Sequence, residues 1–397
     1  MKTVRFSILK AIVITVLLVG FTALLFVLNR PQEGAVPTAA SLLQFARARV
    51  TEIAVDDAYP DTWTEGRRLG TQYVTVRLES GAYKGYELPA VNYLNAYTNV
   101  DLKAGTPIIV RLDYDDAGSL YVASISNYTR DGVMFGLLAV FAALMVAFGG
   151  KKGVASLLGL VFTVVCIWFF LIPLIRRGFP AIPAAILLVA ITTAVSLLLL
   201  NGFSAKTLCA IIGCVGGVLV AGVTAAAAGA LTPMTGFNMP EAEDIVLRAG
   251  DQGLKLSGLL VSGILISALG AVMDTSMSIT SAVFELHDMN PSIARKKLFQ
   301  SGINIGRDAM GTMSNTLILA FAGASLNTLL LFRVFDYPYL QIFNSDMMAI
   351  EVIQGLSGSI GIVLTVPLVA ALSAAMCAAP KKALTNRKEV NPPFRAS

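Results

Sequence analysis

Hydrophobic positions in this chain fall into long runs separated by short polar breaks, and one stretch near the N-terminus departs from that pattern. The runs are Ala11–Leu28, Gly132–Ala147, Ala155–Ile175, Ala184–Leu200, Thr207–Ala230, Leu256–Met273, Met310–Phe332 and Ser357–Ala375. Each approaches or exceeds the roughly 20 apolar residues with which a helix crosses ~30 Å of hydrocarbon. The pattern predicts an α-helical polytopic membrane protein with about eight transmembrane helices.

The exception is Arg30–Arg130. Apolar and polar residues alternate there in Arg49–Ala54, Thr71–Gly81, Tyr86–Pro89, Thr106–Asp113 and Leu120–Ile125. A period of two marks strands, and Gly105 and Asp115–Gly118 read as turns between them. Many short strands in so few residues predict a small extracytoplasmic β-barrel or sandwich after the first span. Pro37–Arg47 reads as a linker or short amphipathic helix. Tyr59–Gly70 reads as a loop, with Asp57, Asp61 and Glu65 in or beside it, at a spacing that matches no calcium loop. The organisation is therefore residues 1–29 as a cytoplasmic tip and uncleaved anchor, 30–131 as the β-rich domain, 132–376 as a seven-helix bundle, and 377–397 as a basic tail.

Composition agrees with this division. Of 397 residues, 55% are hydrophobic and only 14% are charged, against about 25% charged in soluble domains. The formal charge of +5 is modest, and its placement matters more than its size. With the N-terminus inside, Lys151, Lys152, Lys206 and Arg295–Lys297 fall in cytoplasmic loops, as does the basic tail. Arg176 and Arg177 oppose the rule, while the acidic loop after Pro240, with Glu241, Glu243 and Asp244, lies outside as the rule prefers. Both termini are thus assigned to the cytoplasm of a plasma-membrane protein. No basic patch interleaved with aromatics points to nucleic acid. The four cysteines, Cys166, Cys209, Cys214 and Cys377, lie in or at the ends of spans and read as inert thiols rather than a disulfide or zinc framework.

Chemistry concentrates between Asp274 and Asn315. Asp274, Ser278, Ser281 and Glu285 recur at helical spacing, giving a polar stripe with a carboxylate at each end. Such a stripe is costly in lipid and is expected to face protein, water or the interface. Pro291 ends or restarts that helix, and Ser292–Arg307 is amphipathic and basic. The following span opens with Arg307 and Asp308, and Asp308, Thr312 and Asn315 share one face. Gly213 and Gly217 have the small-xxx-small spacing of a close helix crossing. His287 is the only histidine, so no Ser–His–Asp arrangement is available. Neither a phosphate loop nor an HExxH motif is present, which disfavours a hydrolytic enzyme, and no cofactor or metal is indicated.

Three segments, Gly306–Gly323 (GRDAMGTMSNTLILAFAG), Ala268–Leu286 (ALGAVMDTSMSITSAVFEL) and Leu231–Ile245 (LTPMTGFNMPEAEDI), resemble the YibE/F-like family of bacterial multi-span membrane proteins. The resemblance extends from about Thr71 to Ala375, loosely in the β-rich part. It implies an integral plasma-membrane protein and brings no catalytic or ligand residues with it. On the residues themselves, the leading expectation is a secondary permease for a small solute or ion, with Asp274 taking a cation or proton, Arg307 and Asp308 forming a gating pair, and Asn315 lining the path. The alternative is an envelope sensor or assembly factor whose β domain binds a partner. The expected surroundings are the bilayer, a small solute or cation, and a second copy through small-residue faces.

Overall fold

The structure, a computed structural model, describes residues 20–30, 44–114, 120–239, 242–249 and 255–378. The basic tail, Glu241, most of Pro37–Arg47, the Asp115–Gly118 turn and the first half of Ala11–Leu28 lie outside the described residues. The chain divides into two compact units, Pro31–Ala147 and Met1–Arg30 with Phe148–Ser397.

The first unit contains β1 (Gln44–Asp56), β2 (Tyr59–Pro60), β3 (Arg68–Leu78), β4 (Glu87–Leu94), β5 (Pro107–Tyr114) and β6 (Leu120–Tyr128). β1 runs antiparallel to both β3 and β5, β3 to β4, and β5 to β6, while β4 and β6 meet in parallel at Val91 and Ser124. The five long strands therefore close in the order β1-β3-β4-β6-β5-β1, a Greek-key barrel of the OB type. β2 is a two-residue edge on β3. The alternation seen in sequence sets the inside: Ala46, Ala48 and Val50 meet Val74, Val76 and Leu78 and Ile108, Val110 and Leu112 in one core. Register shifts at Val50/Glu52 and Ile53/Val55 bend the 13-residue β1 so that it can serve two partners.

Two sequence expectations change here. Gln44–Arg47 is strand rather than linker or helix, because Gln44–Arg49 pairs residue by residue with Leu112–Pro107. Tyr59–Gly70 is a hairpin rather than a plain loop, since Tyr59 and Pro60 pair with Leu69 and Arg68.

One end of the barrel is closed by polar groups. Buried Asn92 donates to Gln72 Oε1 at 3.0 Å and to the Val100 carbonyl at 2.7 Å, and the Leu102 amide donates to Gln72 Oε1 at 3.1 Å. Arg68 bridges Asp56 at 2.6 Å and Asp101 at 3.0 Å. The hydrogen bond from Arg68 holds the Asp56 carboxyl below its ordinary value of 3.8. Stability from this pair is therefore fully present above that value and is lost as pH falls through the lower folded one. Arg68→Ala should weaken the barrel by about 1 kcal/mol at pH 6, after discounting for partial exposure, and should flatten its acid sensitivity. Amide hydrogen exchange of β3 at pH 6 and pH 3 in wild type and variant checks both.

The second unit is helical. α1 covers residues 20–28. α2 (Asp131–Cys166) starts in the first unit and is interrupted by non-helical Gly150 (φ 52°, ψ −133°) next to Lys151 and Lys152. A π-helical turn, Ile167–Leu171, joins it to α3 (Ile172–Arg176). Then come α4 (Ala181–Asn201), α5 (Ala205–Leu231), α6 (Ala242–Ala249), α7 (Leu259–Met289), α8 (Arg295–Ala324), α9 (Leu326–Val334), α10 (Tyr339–Phe343) and α11 (Asp346–Ala378). Among the described residues, five helical segments are long and apolar enough to cross a membrane, counting Asp131–Arg176 once, or six if α8 and α9 form one bent span. This is a mostly helical membrane protein with a small N-terminal β domain.

α5, α7 and α8 pack around α11. Gly213 and Gly217 of α5 are buried against it, as the spacing predicted. A side chain at Gly213 would meet Val369, and one at Gly361 of α11 would lie 2.6 Å from Ala221 Cβ. Cys166, Cys209 and Cys214 are buried and Cys377 is half-buried, all as free thiols. At the edge, the end of α1 is stitched to the π turn: Asn29 Nδ2 donates to the Phe169 carbonyl at 2.8 Å, and Arg177 Nη2 donates to the Val27 carbonyl at 2.7 Å. The Val27 carbonyl, near the end of α1, also accepts a long bond from the Arg30 amide at 3.4 Å, so Arg177 gives it a second and shorter one.

Candidate functional site

α7 is one continuous helix, so the polar sequence Asp274–Asp288 does continue the preceding span. Its polar stripe turns away from the packed interior. Asp274, Ser278 and Glu285 are exposed and Ser281 is half-buried. The hydroxyls that turn inward are those of Thr275, Ser276 and Thr280. Thr275 and Thr280 find partners there, whereas Ser276 Oγ has none among the described residues. Thr275 Oγ1 donates back to the Ala271 carbonyl at 2.8 Å, so it enters the interior already paired. A carboxylate has no proton to give to its own backbone and would be buried uncompensated. Thr280 joins Ser373 at 3.4 Å, and Ser373 lies 3.2 Å from Cys209, giving a thin polar seam between α5, α7 and α11.

The phase of α8 is set by Leu298, Gly302 and Gly306, which are buried at a spacing of four. Gly302 sits against Ala370 and Val283, and Gly306 against Val366 and Ile279. With that face inward, Arg307, Asp308, Thr312 and Asn315 all turn outward and are exposed. Thr312 donates weakly to the Asp308 carbonyl at 3.3 Å. Among the described residues, Arg307 and Asp308 make no ion pair, so the expected gating pair is not formed in this arrangement. α7 and α8 are neighbours, and their polar residues line neither of the two clefts described next.

Sequence reasoning missed the break after Ala324. The Ser325 amide donates to the Phe321 carbonyl at 3.0 Å, and α9 then departs at 58° to α8. A cleft of about 250 Å³ opens between this bend and the first half of α11, lined by Ile318, Phe321, Ser325, Thr328, Glu351 and Gly355 among others. Glu351 Oε2 and Ser325 Oγ are buried in the fold with no hydrogen-bond partner among the described residues. A second cleft of about 240 Å³ lies nearby, lined by Phe332, Arg333, Asp336 and Tyr337.

Arg333–Glu351, which the limits of the Met310–Phe332 and Ser357–Ala375 runs leave as an outside loop, is largely helical, because α9 runs to Val334, α10 spans Tyr339–Phe343 and α11 already begins at Asp346. Asp346 Oδ2 accepts from Asn238 Nδ2 at 2.9 Å, which anchors the start of α11 to the turn after α5. Glu351 therefore stands on a fixed helix, not on a loop. The sequence did hold a signal for this: Ile350, Ile353, Ser357 and Gly361 continue the buried helical period well before the expected span.

Chemically, the cleft offers one carboxylate and two hydroxyls in apolar walls, next to the C-terminal end of α8. Helix C-termini carry partial negative charge. A site of that sign suits a proton or a cation.

A family model described as YibE/F-like protein matches residues 137–379. The chain belongs to the YibE/F-like family. The match takes in the cleft, the α7 and α8 polar faces and the α5–α11 crossing, whereas the barrel strands fall before it. The sequence resemblance had reached back to about Thr71, further than the match. No curated protein and no solved structure matches the chain.

Proposed function

We propose that this YibE/F-like protein is a secondary permease of the plasma membrane for a small cation or a solute coupled to one. The observation that carries this reading is Glu351, whose carboxylate has an unsatisfied oxygen beside a broken helix and an unpaired serine hydroxyl. Transporters place discontinuous helices and unsatisfied polar groups where a coupling ion binds. Such an acceptor is costly in an apolar wall unless occupancy by a cation or proton compensates it.

An eight-span topology suits the reading. Asp131–Arg176 holds 46 residues, about 70 Å of helix at 1.5 Å per residue, which is more than twice the hydrocarbon thickness. Division at Gly150 makes two spans with Lys151 and Lys152 at the cytoplasmic side, and α1 with α8 and α9 supplies two more. Both termini are then cytoplasmic and the barrel is outside. The outward polar faces of α7 and α8 would meet water, the headgroup layer or a second copy, with Asp274 as an access-route carboxylate, Arg307 and Asp308 pairing transiently, and Asn315 beside the route.

Asp274→Asn is expected to cut flux severalfold while leaving insertion intact. Sodium uptake and entrapped-dye proton flux in reconstituted vesicles measure it, and unchanged rates would remove Asp274 from the route. A sensor or assembly role for the barrel is the second reading, favoured by the aromatic residues that its surface displays.

A further inference from the structure

Seven large aromatics of the barrel strands and their connecting loops are exposed: Phe45, Tyr59, Trp63, Tyr73, Tyr86, Tyr93 and Tyr97. All but Phe45 and Tyr86 gather around one end of the barrel. On the outer face of β3 and β4, Thr71 pairs with Tyr93 and Tyr73 with Val91, so Tyr73 and Tyr93 are diagonal neighbours. Arg67 Nη1 donates to the Ala96 carbonyl at 3.1 Å and Asn99 Nδ2 to the Arg68 carbonyl at 2.8 Å. These bonds fasten the Trp63 hairpin to the segment that carries Tyr97.

Trp63 is 91% exposed and Tyr97 97% exposed. Neither exposure comes from a slack loop. The Trp63 turn is closed by Asp61 N–H to the Arg67 carbonyl at 2.8 Å, Gly66 N–H to the Asp61 carbonyl at 3.0 Å, and Thr64 Oγ1 to Asp61 Oδ2 at 2.8 Å. The Tyr97 turn is closed by the amides of Tyr97 and Thr98 on Asn95 Oδ1 at 2.8 and 2.6 Å. Rigid turns thus hold large apolar rings out in water.

The charge around these rings selects the ligand. The same end holds the carboxylates of Asp56, Asp57, Asp61, Glu65 and Asp101 against the guanidiniums of Arg67 and Arg68, and Arg68 is already shared by Asp56 and Asp101. An acidic balance repels nucleic-acid phosphate, whose binding needs an excess of Lys and Arg. It equally opposes anionic lipid headgroups, which basic segments attract. A chain with flat apolar faces to stack on the rings and hydroxyl edges to donate to carboxylates is complementary to this end. The outer face of the second and third strands, with the loop between the first two, is also where barrels of this topology have room for an extended chain.

We propose that this end of the barrel binds an uncharged, hydroxyl-rich glycan chain through Trp63, Tyr93 and Tyr97. The chain has two tryptophans, so Trp168→Phe in the full-length protein leaves Trp63 as the sole reporter. In detergent micelles, titration with cellohexaose or chitohexaose should give a saturable blue shift of Trp63 emission. Tyr93→Ala and Tyr97→Ala, each with an unchanged melting temperature, should each weaken binding at least tenfold. Absence of a shift with both sugars overturns the proposal. So does a shift produced instead by single-stranded oligonucleotide or by phospholipid vesicles, which would mark a nucleic-acid face or a headgroup-layer belt.

Discussion

Glu351→Gln will lower cation-coupled flux by about tenfold or more and will leave the protein as stable as wild type or more so. The two outcomes follow from the same oxygen. A carboxylate oxygen left without a partner in an apolar-walled cleft costs about 1–3 kcal/mol when the site is empty. The amide has nearly the same shape and no charge, so the empty fold loses that cost. It also loses the negative charge that attracts a cation and the group that accepts a proton. Activity and stability therefore move in opposite directions, which distinguishes a binding carboxylate from a structural one. Glu351→Asp keeps the charge but shortens the reach and is expected to fall between. Sodium and proton flux in reconstituted vesicles, paired with melting curves in detergent, read both quantities. If Glu351→Gln melts lower and transports normally, Glu351 is a packing residue and the permease reading loses its main support.

Gly217→Val should prevent assembly of the helical unit, and Gly217→Ala should already destabilise it by about 1–3 kcal/mol, the range for overpacking a close contact. A methyl group at this position would collide with Thr365 Oγ1 and lie 2.9 Å from Val272 Cγ1. Thr365 cannot easily retreat, because it is buried and its hydroxyl donates to the Gly361 carbonyl at 2.7 Å. Gly361 is itself close to the Gly217 carbonyl, so the α5–α11 crossing is tight from both sides. Gly270→Ala is the contrast, since nothing lies within 4 Å of an added methyl there. Size-exclusion profiles and denaturation in mixed micelles should separate the two glycines clearly. Equal behaviour would mean that the crossing is looser than the structure has it.

The sequence was most informative where one period governs a whole element. Alternation placed the barrel strands because a residue such as Val76 has neighbours of opposite polarity on each side. It did not disclose the parallel closure of β4 on β6, which depends on residues more than 30 apart and has no local signature. In α7, continuity of the helix past Asp274 was legible, but its rotation was not. Hydroxyls occur on both faces, at 275, 276 and 280 as well as at 278 and 281, and a count of polar positions cannot tell a self-paired threonine from one that needs a partner. The break at Ser325 was hidden for a different reason. Thr316–Leu331 lacks proline, and Gly323, Ser325, Asn327 and Thr328 at the bend are small or polar residues that helices in a bundle also carry, so none of them marks a stop by itself. Glu351 was lost with it, taken into a polar loop by its neighbours Asp346 and Tyr339.

The stitch between α1 and the π turn has a bearing on how the chain is made. Val27 and the arginine that completes its helix end are 150 residues apart. At about 5–20 residues per second, a ribosome takes roughly 8–30 s to produce the second after the first. During that interval α1 lacks both bonds, while the barrel strands between them are made. The two bonds form only when residues 169 and 177 arrive, so α1 is clasped later than the barrel strands that follow it in the chain.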